Sequence, residues 1–131
     1  MAIRIVRLGS PRATGEGLRL GTVRRPPRGV PKSEFASRDY YDSWLPQLSP
    51  SAELLKLGQQ AQDSASDKDW SAFVRKFRAE MNEPDAARLL DLLAALSQGT
   101  PLALGCYCED EARCHRSVLR ALLSERGAAL V

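Results

Sequence analysis

The sequence predicts an α/β fold: a small, mainly parallel sheet flanked by helices in a single domain. Short apolar runs bounded by Gly and Pro lie near both ends of the chain, and helical periodicity fills the region between them. The resulting order, strand, strand, helices, strand, helix, strand, is typical of parallel strands joined by crossover helices. A chain of 131 residues with 44% hydrophobic content suffices for one core but not for two, so we expect residues 1–131 to form one domain.

Three strands are predicted from apolar runs. The first covers Ile3 to Leu8, which is rich in β-branched residues and stops at Gly-Ser-Pro. The second covers Leu18 to Val23. The third covers Leu102 to Tyr107, a nearly continuous apolar run of the kind that is buried on both faces of a sheet. A last short strand is expected at Ala128 to Val131.

Helices are predicted from apolar residues that recur at helical spacing. A core-facing helix is expected from Tyr41 to Leu48, and Ser49-Pro50 is expected to cap a second, short helix. The later part of Gln59 to Asp69 is polar and is expected to be an exposed linker. Asp69 then caps an amphipathic helix, which a leucine-rich helix follows. The apolar positions of these two helices are Trp70, Phe73, Val74, Phe77 and Met81, then Leu89, Leu90, Leu92, Leu93 and Leu96.

Charge and cysteine content limit the class of protein. With 19 basic and 16 acidic residues the net charge is +3, which favours anionic partners but lacks the basic excess of a dedicated nucleic-acid binder. We therefore expect weak nucleic-acid binding or none. Three cysteines within nine positions do not form a disulfide framework, which favours a reducing, cytoplasmic setting. Neither a signal peptide nor a membrane span is expected, so no membrane partner is predicted.

The stretch from Thr100 to Gly127 contains every cysteine and the only histidine of the chain. It is interpreted as the third strand, a loop, and a final helix whose apolar residues recur from Val118 onward. Cys114, His115 and Arg116 then fall at the N-terminus of that helix. Unpaired backbone N–H groups and the helix dipole favour an anion there and lower the pKa of a thiol.

A second candidate element is the loop Arg24-Arg25-Pro26-Pro27-Arg28-Gly29, whose two prolines stiffen it. It follows the second strand, as the cysteine loop follows the third. Ligands of open parallel sheets collect outside the carboxyl ends of the strands. If the two strands are neighbours, Arg25 or Arg28 shares one crevice with Cys114 and Arg116.

Three kinds of chemistry are compatible with these residues. Four soft donors, Cys106, Cys108, Cys114 and His115, would suit zinc, but the spacing is atypical and adjacent Cys114 and His115 are expected to point apart. No metal or other cofactor is therefore expected. Alternatively, Cys114 is a thiolate nucleophile in electropositive surroundings. In the third option the helix start binds an anion, and an acidic side chain serves as acid or base; its candidates are Glu109, Asp110 and Glu111.

Three segments, YYDSWLPQLSPSAELLK, DWSAFVRKFRAEM and CYCEDEARCHRSVLRALLSERG, resemble the bacterial family known as domain of unknown function 488, in its YeaO-like branch. The segment GTVRRPPRG is similar to the arginine-bearing strand and loop of that family, and Cys-His-Arg is its most specific signature. The resemblance implies a small α/β fold in the bacterial cytoplasm. It implicates five residues, namely Arg25, Arg28, Cys114, His115 and Arg116.

The function expected from the sequence is an enzyme that acts on a phosphate-bearing or otherwise anionic small molecule or nucleotide. Cys114 and His115 are the expected catalytic residues, and Arg25, Arg28 and Arg116 are the expected substrate-binding residues. The alternative is a non-enzymatic module that uses the same arginines to bind nucleic acid or a regulatory partner. Arginines that converge in a concave pocket would indicate the enzyme, and arginines spread over a wide face would indicate the module.

Overall fold

Four parallel strands form one sheet, which confirms the predicted α/β class. The computed structural model describes residues 2–131. In the order of the sheet, β1 lies beside β4, β4 beside β2, and β2 beside β3. The strands are β1 (Ile3–Arg7), β2 (Leu18–Gly21), β3 (Ser43–Trp44) and β4 (Leu102–Cys106).

Helices supply the other elements. They are α1 (Ala52–Ser64), α2 (Asp67–Met81), α3 (Pro84–Leu96) and α4 (His115–Glu125), with single 3₁₀ turns at Lys32–Glu34, Pro46–Leu48 and Glu111–Arg113. The expected last strand is reduced to one parallel bridge between Leu130 and Ile3. Among residues 2–131, no helix has the length and apolar content needed to cross a bilayer.

The central strand β4 is buried along its whole length because it pairs with β1 on one side and β2 on the other. At its carboxyl end Gly105 lies opposite Gly21 of β2. A Cβ on Gly21 would come within 2.3 Å of the Tyr41 ring, and a Cβ on Gly105 within 2.4 Å of the Leu8 side chain. The two glycines therefore make room for these side chains at the carboxyl edge of the sheet.

The buried apolar side chains of residues 2–131 form two clusters. The larger is the main core, in which Ile3 and Leu104 of the sheet pack with residues of all four helices such as Phe77, Leu90 and Leu119. The smaller lies at the carboxyl edge, and its buried members are Leu8, Val23, Tyr41, Cys106 and Cys114. Two of the three cysteines are thus core residues of the smaller cluster.

The prediction of a helix from Tyr41 to Leu48 is wrong. Ser43 and Trp44 instead extend the sheet, in register with Leu20 and Gly21 of β2. Pro46 disfavours the helical conformation in the residue before it, and Leu45 has φ −122° and ψ 71°. An edge strand followed by a 3₁₀ turn gives these apolar residues the same spacing as a helix would. A pattern of only four positions does not distinguish the two.

Helix boundaries also differ from the expectation between residues 49 and 69. Ser51, not Ser49, caps α1, since its side chain accepts a hydrogen bond from the Leu54 N–H. The expected linker is wrong: α1 continues to Ser64 and ends at Ala65, whose φ of 52° is left-handed. Ser66 rather than Asp69 then caps α2.

Candidate functional site

The loops that leave the carboxyl ends of the strands meet at one edge of the sheet. Because β2 and β4 are neighbours, the arginine loop Arg24–Gly29 and the segment Tyr107–Arg113 leave the sheet side by side. This confirms the strand adjacency on which the shared-crevice hypothesis depends.

The buried centre is a thiol cluster made of Cys106, Cys108, Cys114 and His115. The sulfurs of Cys106 and Cys108 lie 3.8 Å apart, and the Cys114 sulfur lies 3.7 Å from Nδ1 of His115. The ligand atoms of Cys106, Cys114 and His115 all lie within 4.8 Å of one another. The expectation that Cys114 and His115 point apart is therefore wrong. Cys114 has an extended backbone as the residue that precedes α4, so its side chain is not constrained to helical directions.

The cluster stabilises a thiolate on Cys114. Its pKa is lowered to about 3, first by the Cys106 and Cys108 thiols, which donate hydrogen bonds to its sulfur, and then by the backbone N–H and side chain of Arg116. Burial opposes this shift but does not outweigh it. The pKa of Cys106 is raised because its proton is shared with Cys108 and Cys114 and because it is buried. The negative charge that the cluster stabilises therefore lies on Cys114.

His115 is a buried, neutral imidazole of fixed tautomer. Its Nε2 lies 2.6 Å from the backbone oxygen of Thr22. A carbonyl oxygen can only accept, so Nε2 carries the proton and donates it, which leaves the Nδ1 lone pair facing the Cys114 sulfur. Burial lowers the pKa of His115 to about 4, so the ring is neutral at neutral pH. The ring of Phe77 packs edge-on against it, 5.6 Å between centroids.

Arg116 does not direct its guanidinium to an external anion. The side chain is buried, and its two Nη atoms donate to the carbonyl oxygens of Val6 at 2.7 Å and Cys108 at 2.6 Å. It therefore fastens the cysteine loop to β1. The anion that the start of α4 stabilises is the protein's own Cys114 thiolate.

The thiol cluster reaches the surface through a small cavity and an open depression. The thiol cavity, of about 60 Å³, is lined by the whole cluster together with Gln62 and Arg113. An adjoining depression of about 510 Å³, here named the Cys108 depression, shares four lining residues with it, namely Cys108, Gln59, Gln62 and Arg113. Its other lining residues are Tyr107, Glu109 and Asp110.

Arg113 and Gln62 form the boundary between the cavity and the depression. Arg113 makes a salt bridge with Asp67, and its guanidinium carbon lies 5.7 Å from the centroid of the Trp70 ring. Its buried Nη1 has no hydrogen-bond partner among residues 2–131. Gln62 donates to the Arg113 carbonyl at 2.6 Å and lies 3.7 Å from the Cys108 sulfur. Sequence reasoning missed Gln62, which lies in a segment without helical periodicity and has no motif around it.

Arg25 and Arg28 line a separate surface depression of about 360 Å³, the arginine depression, together with Pro26, Pro27, Tyr40 and Tyr107. Both arginines are exposed, and within residues 2–131 neither guanidinium has a hydrogen-bond or salt-bridge partner. Cys114, His115 and Arg116 do not line this depression. Tyr107 lines both this depression and the Cys108 depression, and its hydroxyl donates to the Arg25 carbonyl at 2.9 Å.

A third depression, of about 540 Å³, continues the edge beyond the arginines. This aromatic depression shares Pro26 with the arginine depression and is lined by the side chains of Phe35, Tyr41 and Trp44. The indole N–H of Trp44 donates to the Val23 carbonyl at 2.7 Å, which fixes the ring against the sheet. Three adjoining depressions therefore run along the carboxyl edge, from Trp44 past Arg25 and Tyr107 to Cys108.

A family model described as DUF488-N3a, the active DUF488-N3 subclade, matches residues 3–127, which include all four strands and all four helices. The match confirms the family resemblance seen in the sequence. The YeaO-like branch and the bacterial origin stay predictions. No curated protein and no solved structure matches the chain.

Proposed function

We propose that this chain, which belongs to the DUF488 family, is an enzyme that binds an anionic small molecule along the carboxyl edge of its sheet. The substrate class is a phosphate-bearing metabolite or nucleotide, and the thiol cluster is the reactive group. The observation that carries the proposal is the continuity of the edge: the arginine depression and the Cys108 depression share Tyr107. A molecule held by Arg25 and Arg28 can thus extend to the entrance of the thiol cavity.

The arginine pair supports an anionic substrate because most other arginines are already neutralised within the chain. Eight arginines form salt bridges with carboxylates, whereas Arg25 and Arg28 have none within the described part of the chain. The guanidinium fork suits phosphate oxygens, and the Pro26-Pro27 segment holds both forks on a stiff backbone. The paired arginines are Arg7, Arg12, Arg19, Arg38, Arg78, Arg113, Arg120 and Arg126.

The aromatic depression favours a nucleotide as the substrate rather than a phosphate compound without a base. Phe35 and Trp44 offer partly exposed rings, which lie beside the buried ring of Tyr41 in the same lining. Bases stack on such side chains in many nucleotide sites. A nucleotide with its base here and its phosphates on Arg25 and Arg28 would occupy two of the three adjoining depressions.

The thiol cluster supports chemistry rather than binding alone. A thiolate with a strongly lowered pKa beside a neutral imidazole, at the inner end of a cleft, is the kind of perturbed pair that marks reactive sites. The three free thiols also support a reducing compartment, and we propose the cytoplasm. The position of Arg25 and Arg28 in one depression, rather than on a wide basic face, favours the enzyme over the nucleic-acid module.

The test is an NMR titration of metal-free protein with inorganic phosphate and with nucleoside mono- and diphosphates. We expect Arg25→Ala and Arg28→Ala each to weaken binding about 10-fold or more, since a hydrogen bond to a charged group contributes about 1.5–3 kcal/mol. Arg88→Ala is the matched control, because Arg88 is exposed on α3 and removes the same charge elsewhere.

Equal weakening by Arg88→Ala would show nonspecific attraction and contradict the proposal. A parallel titration with single-stranded and duplex oligonucleotides addresses the alternative function. Submicromolar binding with a steep salt dependence would favour the nucleic-acid module instead.

A further inference from the structure

We infer that the thiol cluster is a zinc site, with Cys106, Cys114 and His115 as the three protein ligands. The fourth coordination position faces the thiol cavity and Cys108. This inference deepens the proposed function, because it names the reactive group of the same site. It departs from the sequence-based expectation of no metal, and the reason is geometric.

The distances within the cluster are close to those of a coordination tetrahedron. Zinc bonds of about 2.3 Å to sulfur and about 2.0–2.1 Å to nitrogen place two sulfurs about 3.8 Å apart and a sulfur and a nitrogen about 3.5 Å apart. Cys114 Sγ and His115 Nδ1 already lie 3.7 Å apart. The remaining distances among the three ligand atoms are at most 4.8 Å, so binding requires the two sulfurs to close by about 1 Å or less and the sulfur and nitrogen by about 1.3 Å or less.

The imidazole is already oriented as a ligand. Metal-binding histidines usually donate their second ring N–H to a carbonyl or carboxylate, which fixes the tautomer and turns the free nitrogen toward the metal. His115 makes this contact through Nε2 to the Thr22 carbonyl, at 2.6 Å. Its Nδ1 lone pair is left on the side of the Cys114 sulfur.

Zinc binds thiolates, so Cys106 must release its proton to the solvent when the metal binds. Cys114 is the residue that precedes α4, where the backbone N–H groups of the first helical turn favour an anionic side chain. Cys106 lies at the end of β4, opposite Arg7 in the sheet register, so its position is set by strand pairing rather than by a flexible loop. Cys106 and Cys114 are both buried, as is typical of ligands held by a rigid scaffold.

Three protein ligands leave one position for a substrate atom or water, which is the pattern of catalytic rather than structural zinc sites. The thiol cavity, about 60 Å³, lies on this side of the cluster and is bounded by Cys108, Gln62 and Arg113. It is large enough for a bound water. The metal would therefore face the Cys108 depression, where the proposed substrate binds.

Cobalt(II) substitution of metal-free, reduced protein tests the site without any substrate. We expect one cobalt ion per chain, with thiolate-to-cobalt charge transfer in the near ultraviolet and visible bands of tetrahedral intensity. Cys114→Ser and Cys106→Ser should lose the charge-transfer band. Cys108→Ser is the matched control, since it removes a thiol of the same cluster but not a ligand, and should keep stoichiometric binding.

A second measurement covers the case in which the Cys106 or Cys114 variant fails to fold. In the wild-type protein, zinc should protect Cys106 and Cys114 from alkylation, as mapped by mass spectrometry. Absence of the charge-transfer band, or equal alkylation with and without zinc, would overturn the inference. Loss of binding in Cys108→Ser as complete as in Cys114→Ser would overturn the ligand assignment. Failure here leaves the phosphate titration at Arg25 and Arg28 unaffected, because that titration is done on metal-free protein.

Discussion

The structure contains two buried polar clusters that differ in how far their hydrogen-bonding groups are paired. In the first, the Arg19 guanidinium donates to both Glu16 carboxylate oxygens at 2.8 and 2.9 Å and to the carbonyls of Ser10 and Asp39 at 2.8 and 2.7 Å. In the second, around the thiol cluster, three buried atoms have no hydrogen-bond partner within residues 2–131. They are Tyr41 Oη, Arg113 Nη1 and Arg116 Nε.

The difference separates a structural cluster from a functional one. Arg19 and Glu16 join β2 to the loops that follow β1 and precede β3, and their charges are fully used inside the fold. Burial tends to raise the pKa of Glu16, but the hydrogen bonds from Arg19 outweigh it, so the carboxylate stays ionised. Unpaired buried groups around a thiolate indicate a binding site instead. Each of them lowers the stability of the fold, and a bound ligand that pairs with them can restore it.

The largest expected effect is on the structural cluster. Glu16→Gln leaves the Arg19 charge buried without a counterion, which should lower the free energy of unfolding by about 3–5 kcal/mol. Urea denaturation measures it. The control is Glu125→Gln, which removes the same kind of charge from the exposed pair with Arg78 and should leave the free energy of unfolding nearly unchanged, because water screens that pair. Equal losses of unfolding free energy in the two variants would show that the buried pair stabilises the fold no more than the exposed pair does.

A smaller effect is expected on acidification, through His115. Its folded-state pKa is lowered to about 4, so below its ordinary value of 6.5 the unfolded chain binds a proton that the folded chain does not. Stability should therefore fall as the pH falls from about 6.5 to about 4 and level off below that. The loss attributable to His115 is about 3 kcal/mol, at about 1.4 kcal/mol per pKa unit.

Urea denaturation at several pH values, with metal-free wild-type protein and His115→Gln, isolates this loss. The chain has a single histidine, so the difference between the two pH dependences belongs to His115. Parallel curves for the two proteins would contradict a buried, neutral imidazole.

The smallest expected effect concerns Gln62, at the boundary of the thiol cavity. Gln62→Ala removes the hydrogen bond to the Arg113 carbonyl and should cost about 1 kcal/mol. It should also speed alkylation of Cys108, whose sulfur the Gln62 amide covers. Gln60→Ala is the control on the same helix, since Gln60 is exposed and lines neither the thiol cavity nor the Cys108 depression. Equal alkylation rates in the two variants would argue against Gln62 as a cover.

The sequence predicted the parts of the fold whose pattern is local. Apolar runs and periodicity predicted the strands at Ile3, Leu18 and Leu102 and the helix around Phe73, because the apolar side chains of these elements pack in the main core. The segment from Tyr41 to Leu48 did not follow, because pairing with β2 decided its conformation and such pairing is not encoded in local spacing.

The candidate site was predicted in its residue types but not in its geometry. Cys114 and His115 were placed at the start of the last helix, which is where they lie. Their convergence depends on the Thr22 carbonyl, a backbone group that has no sequence signature. Arg116 was expected to bind substrate, but its guanidinium is directed to two carbonyls because β1 lies beside β4. The roles of Arg25 and Arg28 stay predictions.

The chemistry proposed for the thiol cluster depends on Cys114 being a stabilised thiolate in the folded protein. Mass-mapped alkylation of metal-free protein at a series of pH values measures it directly, site by site. We expect the Cys114 rate to be nearly constant between about pH 5 and pH 8, because its pKa is lowered to about 3, and to exceed the Cys106 rate throughout. A Cys114 rate that rises about tenfold per pH unit toward the ordinary thiol pKa of about 8.5, no faster than that of Cys106, would contradict the account.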